Sequence, residues 1–118
     1  MSWTSYKDLA VWQKAMDLTD EIYSLIGRLP KEERNVLSDQ MRRAVVSIPS
    51  NIAEGHGRLS TNEFRNFLSI ANGSCMELET QLQICARQGY LHEEEVESAI
   101  SHINEISKIL TSFMFLLK

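Results

Sequence analysis

Apolar residues recur at three- and four-residue intervals along almost the whole chain, the spacing of a helix that buries one face. Four segments carry the pattern. The first covers residues 5–28, where Leu9, Met16 and Tyr23 interleave with Trp12, Thr19 and Ile26 in a heptad arrangement of the kind used in bundles. Gly27 weakens this segment and Pro30 ends it. The second covers 30–54, opening on Pro30 with Glu32 and Glu33 placed to suit the positive end of a helix dipole. Pro49 falls inside it, lacking an amide proton and crowding the carbonyl of Val45, which predicts a kink at residues 45–49 rather than a stop. The stop is the run Gly55, His56, Gly57. The third segment covers 61–88, with Ser60 and Glu63 at capping-box spacing before it and Gly89 closing it. Its stripe is Phe64, Phe67, Leu68, Ala71, Cys75, Leu78, Leu82 and Ala86. The fourth covers 92–117, beginning with the acidic turn Glu93 to Glu95 and repeating Val96, Ile103, Leu110 and Leu117, with Ile100, Ile106 and Phe113 between them.

Helices of about 24 residues are about 36 Å long, and the short connections favour antiparallel neighbours. The expected fold is all-α: one domain over residues 1–118, folded as an antiparallel up-down-up-down four-helix bundle. No strand pattern, internal repeat or low-complexity segment competes with it.

The second segment has a feature that a solvent-facing helix does not need. Met41, Val45, Ile48 and Ile52 suit a core, while Arg43, Ser47, Asn51 and Glu54 recur at nearly the same spacing on an adjacent face. Such a face meets another helix, another subunit or a ligand.

Composition adds bounds rather than chemistry. With 118 residues, 43% of them hydrophobic and 24% charged, the chain can bury a single core. No signal-peptide-like or bilayer-spanning apolar run appears, so the expectation is a cytoplasmic protein without a membrane role. Cys75 and Cys85 stand ten residues apart on one segment, about 15 Å along a helix axis, too far to bridge; they read as buried thiols in a reducing compartment. The net charge of −4 is uneven: residues 28–65 carry seven bases against five acids, whereas residues 66–118 carry three against seven. The mildly basic middle could steer an anionic partner, yet it falls short of the footprint of a dedicated nucleic-acid binder.

Catalytic and metal-binding patterns are wanting. His56, His92 and His102 have no metal-ligand spacing, and Glu77 with Glu79 at i, i+2 points to two different faces without the ExxH partners of di-metal bundles. The Gly-His-Gly run lacks the lysine and the preceding strand of a phosphate loop, and both cysteines lie on an apolar face. The expectation is a non-enzymatic protein with no cofactor and no metal.

The succession LAVWQKAMDL, LSDQMRRAVVSIPSNIAEGHGR, FRNFLSIANGSCMELETQL and RQGYL resembles the four-helix-bundle family named for open reading frames in 23S rRNA intervening sequences. The resemblance spans roughly residues 6–92 by motif. It implies a left-handed bundle that assembles as a homo-oligomer, a ring or barrel of five subunits, in a family without an established activity. That family in turn resembles accessory proteins of diversity-generating retroelements, which bind a reverse transcriptase and nucleic acid through a basic surface; those proteins are strongly basic, and this chain, with a pI near 5.3, departs from them. By motif, Trp12 and Gln13 match the first helix of the family, Arg42, Arg43, Ser47, Asn51, Glu54 and Gly55 the second, and Glu77, Glu79 and Gln81 the third, with Gly89 and Tyr90 closing it.

Each of these residues has two readings. Arg42 and Arg43 suit phosphates, and equally suit Glu77 and Glu79 of the next helix. Asn51 and Glu54 fit an intersubunit hydrogen-bonding pair or a substrate site, and Trp12 fits the core or an exposed anchor. Arg42, Arg43, Ser47, Asn51, Glu54, Glu77, Glu79 and Gln81 are therefore expected to form a polar network within the bundle or between subunits. Arg28, Lys31, Arg34, Arg58 and Arg65 are the candidates for partner contact. The functional expectation is an oligomeric helical scaffold that binds structured RNA or a ribonucleoprotein; the alternative is a protein-interaction scaffold with no nucleic-acid role.

Overall fold

A computed structural model of the chain describes residues 5–117; residues 1–4 and 118, which the sequence reading places in its single domain, lie outside them. The described residues form four α-helices: α1 (Ala10–Ile26), α2 (Leu37–His56), α3 (Thr61–Arg87) and α4 (Glu93–Leu116). Short 3-10 turns at Tyr6–Asp8 and Lys31–Glu33 precede α1 and α2. No strand is found among the described residues, and none of their helices is long and apolar enough to cross a membrane.

Neighbouring helices pair in opposite sense. Met41 meets Cys85 and Ser47 meets Ser74 across α2 and α3, while Asn72 meets Ser107 and Arg65 meets Met114 across α3 and α4. Between α1 and α4 the rungs are Lys14 with Glu105, Glu21 with His102 and Arg28 with Glu95. Tyr23 lies under Arg42 where α1 crosses α2. Each helix therefore runs antiparallel to the two it touches, and α2 with α3 share the most extensive contact.

Most of the core stripes expected of α2, α3 and α4 are buried: Met41, Val45, Ile48 and Ile52 face Leu68, Cys75, Leu78 and Leu82, with Val96, Ile103, Ile106 and Leu110 closing the other side, while Phe67, Ala86, Ile100, Phe113 and Leu117 are only partly buried. Of the heptad read from sequence in the first segment, Leu9 and Ile26 are buried, but the core stripe of α1 runs mainly along another set of positions. Val11, Ala15, Leu18, Ile22 and Leu25 turn inward, whereas Met16 and Tyr23 are 40% and 46% exposed and Trp12 is half-buried. The helix carries two apolar stripes, and only one of them can face the core.

Three boundaries differ from expectation. Residue Leu9 has extended dihedrals, so α1 starts at Ala10, and Ser5 caps the preceding 3-10 turn through the Lys7 amide. Pro30 opens a 3-10 turn and not α2; the Glu33 carboxylate there accepts from the Tyr90 hydroxyl at 2.9 Å, holding this turn against the α3–α4 connection, and α2 begins only at Leu37. At its other end α2 continues through Gly55 and His56 to a cap at Gly57. It runs through Pro49 without a break, which agrees with a proline that does not stop the helix.

The caps of α3 follow the sequence. The Glu63 amide donates to Ser60 Oγ at 3.1 Å, and Gly89, at φ +74°, supplies the left-handed turn that lets the Tyr90 amide reach the Cys85 carbonyl at 2.9 Å.

Candidate functional site

Helix α2 organises the polar and cationic side chains, because its two flanks face different helices. Toward α3, Ser47 Oγ lies 2.8 Å from Ser74 Oγ, and the Asn51 amide donates to both the Ser47 carbonyl and the Ser47 hydroxyl. Only the Ser47–Ser74 contact crosses between helices, and Ser74 is a partner the sequence did not single out; the Asn51 bonds stay within α2. Glu54 instead pairs with Arg58 at 2.8 Å, one turn on along the chain, and the guanidinium of Arg58 also covers the Phe67 ring.

Arg42 and Arg43 do not reach Glu77 or Glu79. Both turn to Asp39 on their own helix, Arg43 at 3.1 Å and Arg42 at 3.8 Å, because a carboxylate three and four positions back is nearer than any acid across the seam. Glu77 accepts from the Gln81 side-chain amide at 3.2 Å, and Gln81 is buried with its carbonyl oxygen unpartnered among the described residues. Glu79 is half-buried and makes its electrostatic influence felt at Cys75.

The five candidate bases do not form one patch. Arg28, Lys31 and Arg34 gather at one end of the bundle, while Arg58 and Arg65 lie at the other, about 30 Å away along the twenty residues of α2. Arg28 pairs with Glu95, and the guanidinium holds that carboxyl below its ordinary range. Arg65 is half-buried and donates from Nε to the Met114 carbonyl at 3.2 Å. Lys31 and Arg34 are exposed, and neither side chain has a hydrogen-bond or ion-pair partner among the described residues.

Two depressions follow the α1–α2 seam, divided by Arg42 over Tyr23. At the end nearer the chain start is an apolar groove of about 320 Å³ formed by Trp12, Met16, Val46, Pro49 and neighbours. Its floor is stiffened by Tyr6, whose ring meets Trp12 edge-on at 5.3 Å. At the opposite end is a cleft of about 460 Å³ whose lining includes Lys31, Arg34, Ser38 and Arg42. Its signal in the sequence is a polar spacing and not an apolar one: Arg34, Ser38 and Arg42 stand four apart.

Burial pushes the Cys75 thiol up to about 12, with Glu79 adding to the effect, and pushes Cys85 up to about 11, with Glu33 adding. Neither is a thiolate nucleophile at neutral pH. Cys85 Sγ instead packs 3.7 Å from the Met41 sulfur. His102 stands against Glu21 at 2.7 Å, and the His56 ring meets Phe64. Among the described residues no group of three or more His, Cys, Asp or Glu side chains is arranged to hold a metal ion.

Residues 7–112 match the family described as 23S rRNA-intervening sequence protein. A solved structure with the same fold is a protein of unknown function from the S23 ribosomal protein family of Bacteroides thetaiotaomicron. It is 32% identical, with a TM-score of 0.83, over 89% of this chain and 98% of that one. No curated protein matches the chain in sequence. Neither the family nor the solved structure carries an enzymatic assignment.

Proposed function

The chain belongs to the 23S rRNA-intervening sequence protein family, and we propose that it is a non-enzymatic, self-assembling helical scaffold that presents its basic end to a polyanionic partner, structured RNA or a ribonucleoprotein. The observation that carries this reading is a pair of unlike apolar surfaces on the two flanks of α2. On one flank is the groove with Met16 and Val46, each 40% exposed. On the other, Ile70 and Ile84 are 52% and 41% exposed on a single face of α3, with Gly73 between them leaving open space for a close approach.

Unlike surfaces that fit one another make head-to-tail contacts, and head-to-tail contacts close into rings. The family resemblance points to a ring of five. A ring repeats Lys31 and Arg34 once per subunit on the same rim, so a local charge too small to hold RNA in one copy acts several times over. The overall charge of −4 and the local pairing of Arg28 and Arg58 favour the second reading, a scaffold for a protein partner.

Assembly is tested by damaging one surface at a time. Met16→Glu with Val46→Glu spoils the groove, and Ile70→Glu with Ile84→Glu spoils the α3 face; each double variant is expected to sediment as a monomer of unchanged helicity. An equimolar mixture of the two is expected to form a dimer, because each supplies the surface the other lacks. A wild-type chain that sediments as a monomer at micromolar concentration, or a mixture that stays monomeric, contradicts the scaffold. For the partner, RNA affinity that falls steeply as salt rises supports the polyanion, and salt-independent absence of binding turns the reading to protein.

A further inference from the structure

We propose that the cleft between the end of α1 and the first half of α2 is an oxyanion site that takes a phosphoryl group. Three cationic side chains, Lys31, Arg34 and Arg42, line it together with Ser38, and no acidic side chain does. Asp39 holds Arg42 at 3.8 Å and Arg43 more closely at 3.1 Å, so Arg42 is only loosely neutralised. Of the two acids between Lys31 and Arg34, Glu33 is engaged by the Tyr90 hydroxyl, and Glu32 is exposed and outside the lining of the cleft. Lys31 and Arg34, neither held in an ion pair among the described residues, therefore bring positive charge to the opening.

The second observation is Ser38. It is only 4% exposed, it lines the cleft, and its hydroxyl has no hydrogen-bond partner among the described residues. A hydroxyl that no other side chain engages, in the wall of a cleft, is free to donate to a bound acceptor. The backbone adds to the same field. Val36 caps α2 without a side-chain hydrogen bond, so the positive end of a twenty-residue helix opens beside this cleft.

The geometry matches the chemistry of a phosphate oxygen: guanidinium forks for two oxygens, an ammonium as a point charge, and a hydroxyl donor set deeper. Arg42 is held in place by its 5.9 Å contact over the Tyr23 ring, which limits the freedom it loses on binding. As the contact point for RNA this site rests on the polyanion reading above; as an oxyanion site it does not. The phosphoryl group has two sources, a phosphodiester of a nucleic-acid backbone or a free or terminal phosphate.

The test is isothermal titration of the full chain with inorganic phosphate at constant ionic strength, beside chloride as the control anion. Saturable binding near one site per chain is expected, weakened at least tenfold in Lys31→Ala with Arg34→Ala and several-fold in Ser38→Ala. Arg58→Ala with Arg65→Ala, at the far end, is expected to bind as the wild type does. Absence of saturable phosphate binding, or binding unchanged in the Lys31 and Arg34 variant, overturns the site. A short RNA hairpin in place of phosphate separates the sources. Hairpin binding that competes with phosphate identifies the phosphodiester. Phosphate binding without hairpin binding keeps the site, assigns it a free or terminal phosphate, and removes the polyanion reading. Hairpin binding that the Lys31 and Arg34 variant leaves untouched keeps an RNA partner but removes the cleft as its contact point.

Discussion

Gly55→Ala is expected to destabilise the bundle by about 1–3 kcal/mol, the usual range for forcing extra atoms into a packed contact. In an ordinary helix interior the same change is favourable by about 1 kcal/mol, because glycine has the greater freedom to lose. Here the added carbon would stand 2.7 Å from Phe67 Cβ and 3.0 Å from Phe64 Cδ1. A Cβ is fixed to its backbone, so Phe67 cannot turn away and α3 itself must shift along α2. Gly73→Ala is expected to have the opposite sign, a gain of about 0.5–1 kcal/mol, because a carbon added there meets nothing within 4 Å. Denaturant midpoints measured in the Met16→Glu, Val46→Glu background keep assembly out of the comparison. A Gly55→Ala protein as stable as its parent would mean that the helices are not in contact there.

Alkaline pH is expected to unfold the protein through its two thiols. Both folded values lie above the ordinary value of 9.0, near 12 for Cys75 and near 11 for Cys85. Below pH 9 both states hold the proton and the thiols contribute their full share to stability. Above it the unfolded chain loses protons that the folded chain keeps, so stability falls as pH rises, until the folded thiols titrate in their turn. Each group gives a slope of about 1.4 kcal/mol per pH unit, which for two groups between pH 9 and 11 comes to on the order of 4 kcal/mol. Cys75→Ala with Cys85→Ala is less stable at pH 8 because of the lost volume, but its stability is expected to decline more gently from pH 9 to 11. Equal slopes in the two proteins would show that the thiols titrate normally in the fold.

Much of the architecture was legible because most helices have one apolar stripe, and a single stripe leaves no choice of face. Met41 to Ile52 in α2 and Phe64 to Leu82 in α3 are such cases. In α1 two stripes lie side by side, and local spacing does not reveal which of Ala15 or Met16 turns inward; the α2 and α4 surfaces decide. The start of α2 was hidden for a related reason. Glu32 and Glu33 look like the acids of a first helical turn, but Glu33 is engaged by Tyr90, 57 positions later, which no local rule anticipates. Gly55 looked like a stop because its reason for being glycine lies on another helix.

The candidate site was less legible. Asn51 was paired with Glu54 in the sequence, whereas in the fold Asn51 bonds to Ser47 one turn back and Glu54 to Arg58. The acid opposite Arg42 and Arg43 was sought across the seam, when Asp39 on the same helix face was near enough to take both. The basic middle of the chain, compact as a stretch of sequence, is divided by the length of α2 between two ends of the molecule.

One seam sets the order in which the structure is completed. α2 folds back on α1, α3 on α2 and α4 on α3 through neighbours in sequence, while α1 and α4 join the two extremes of the fold through Lys14–Glu105, Glu21–His102 and Arg28–Glu95. Contacts between consecutive helices form rapidly, since little chain must be searched to find them. The last seam closes only when α4 exists. During synthesis, then, the inward stripe of α1, with Leu18 and Ile22, has only the cover of α2 until residues beyond Glu93 have emerged, an interval in which exposed apolar surface invites chaperones and mispairing with neighbours.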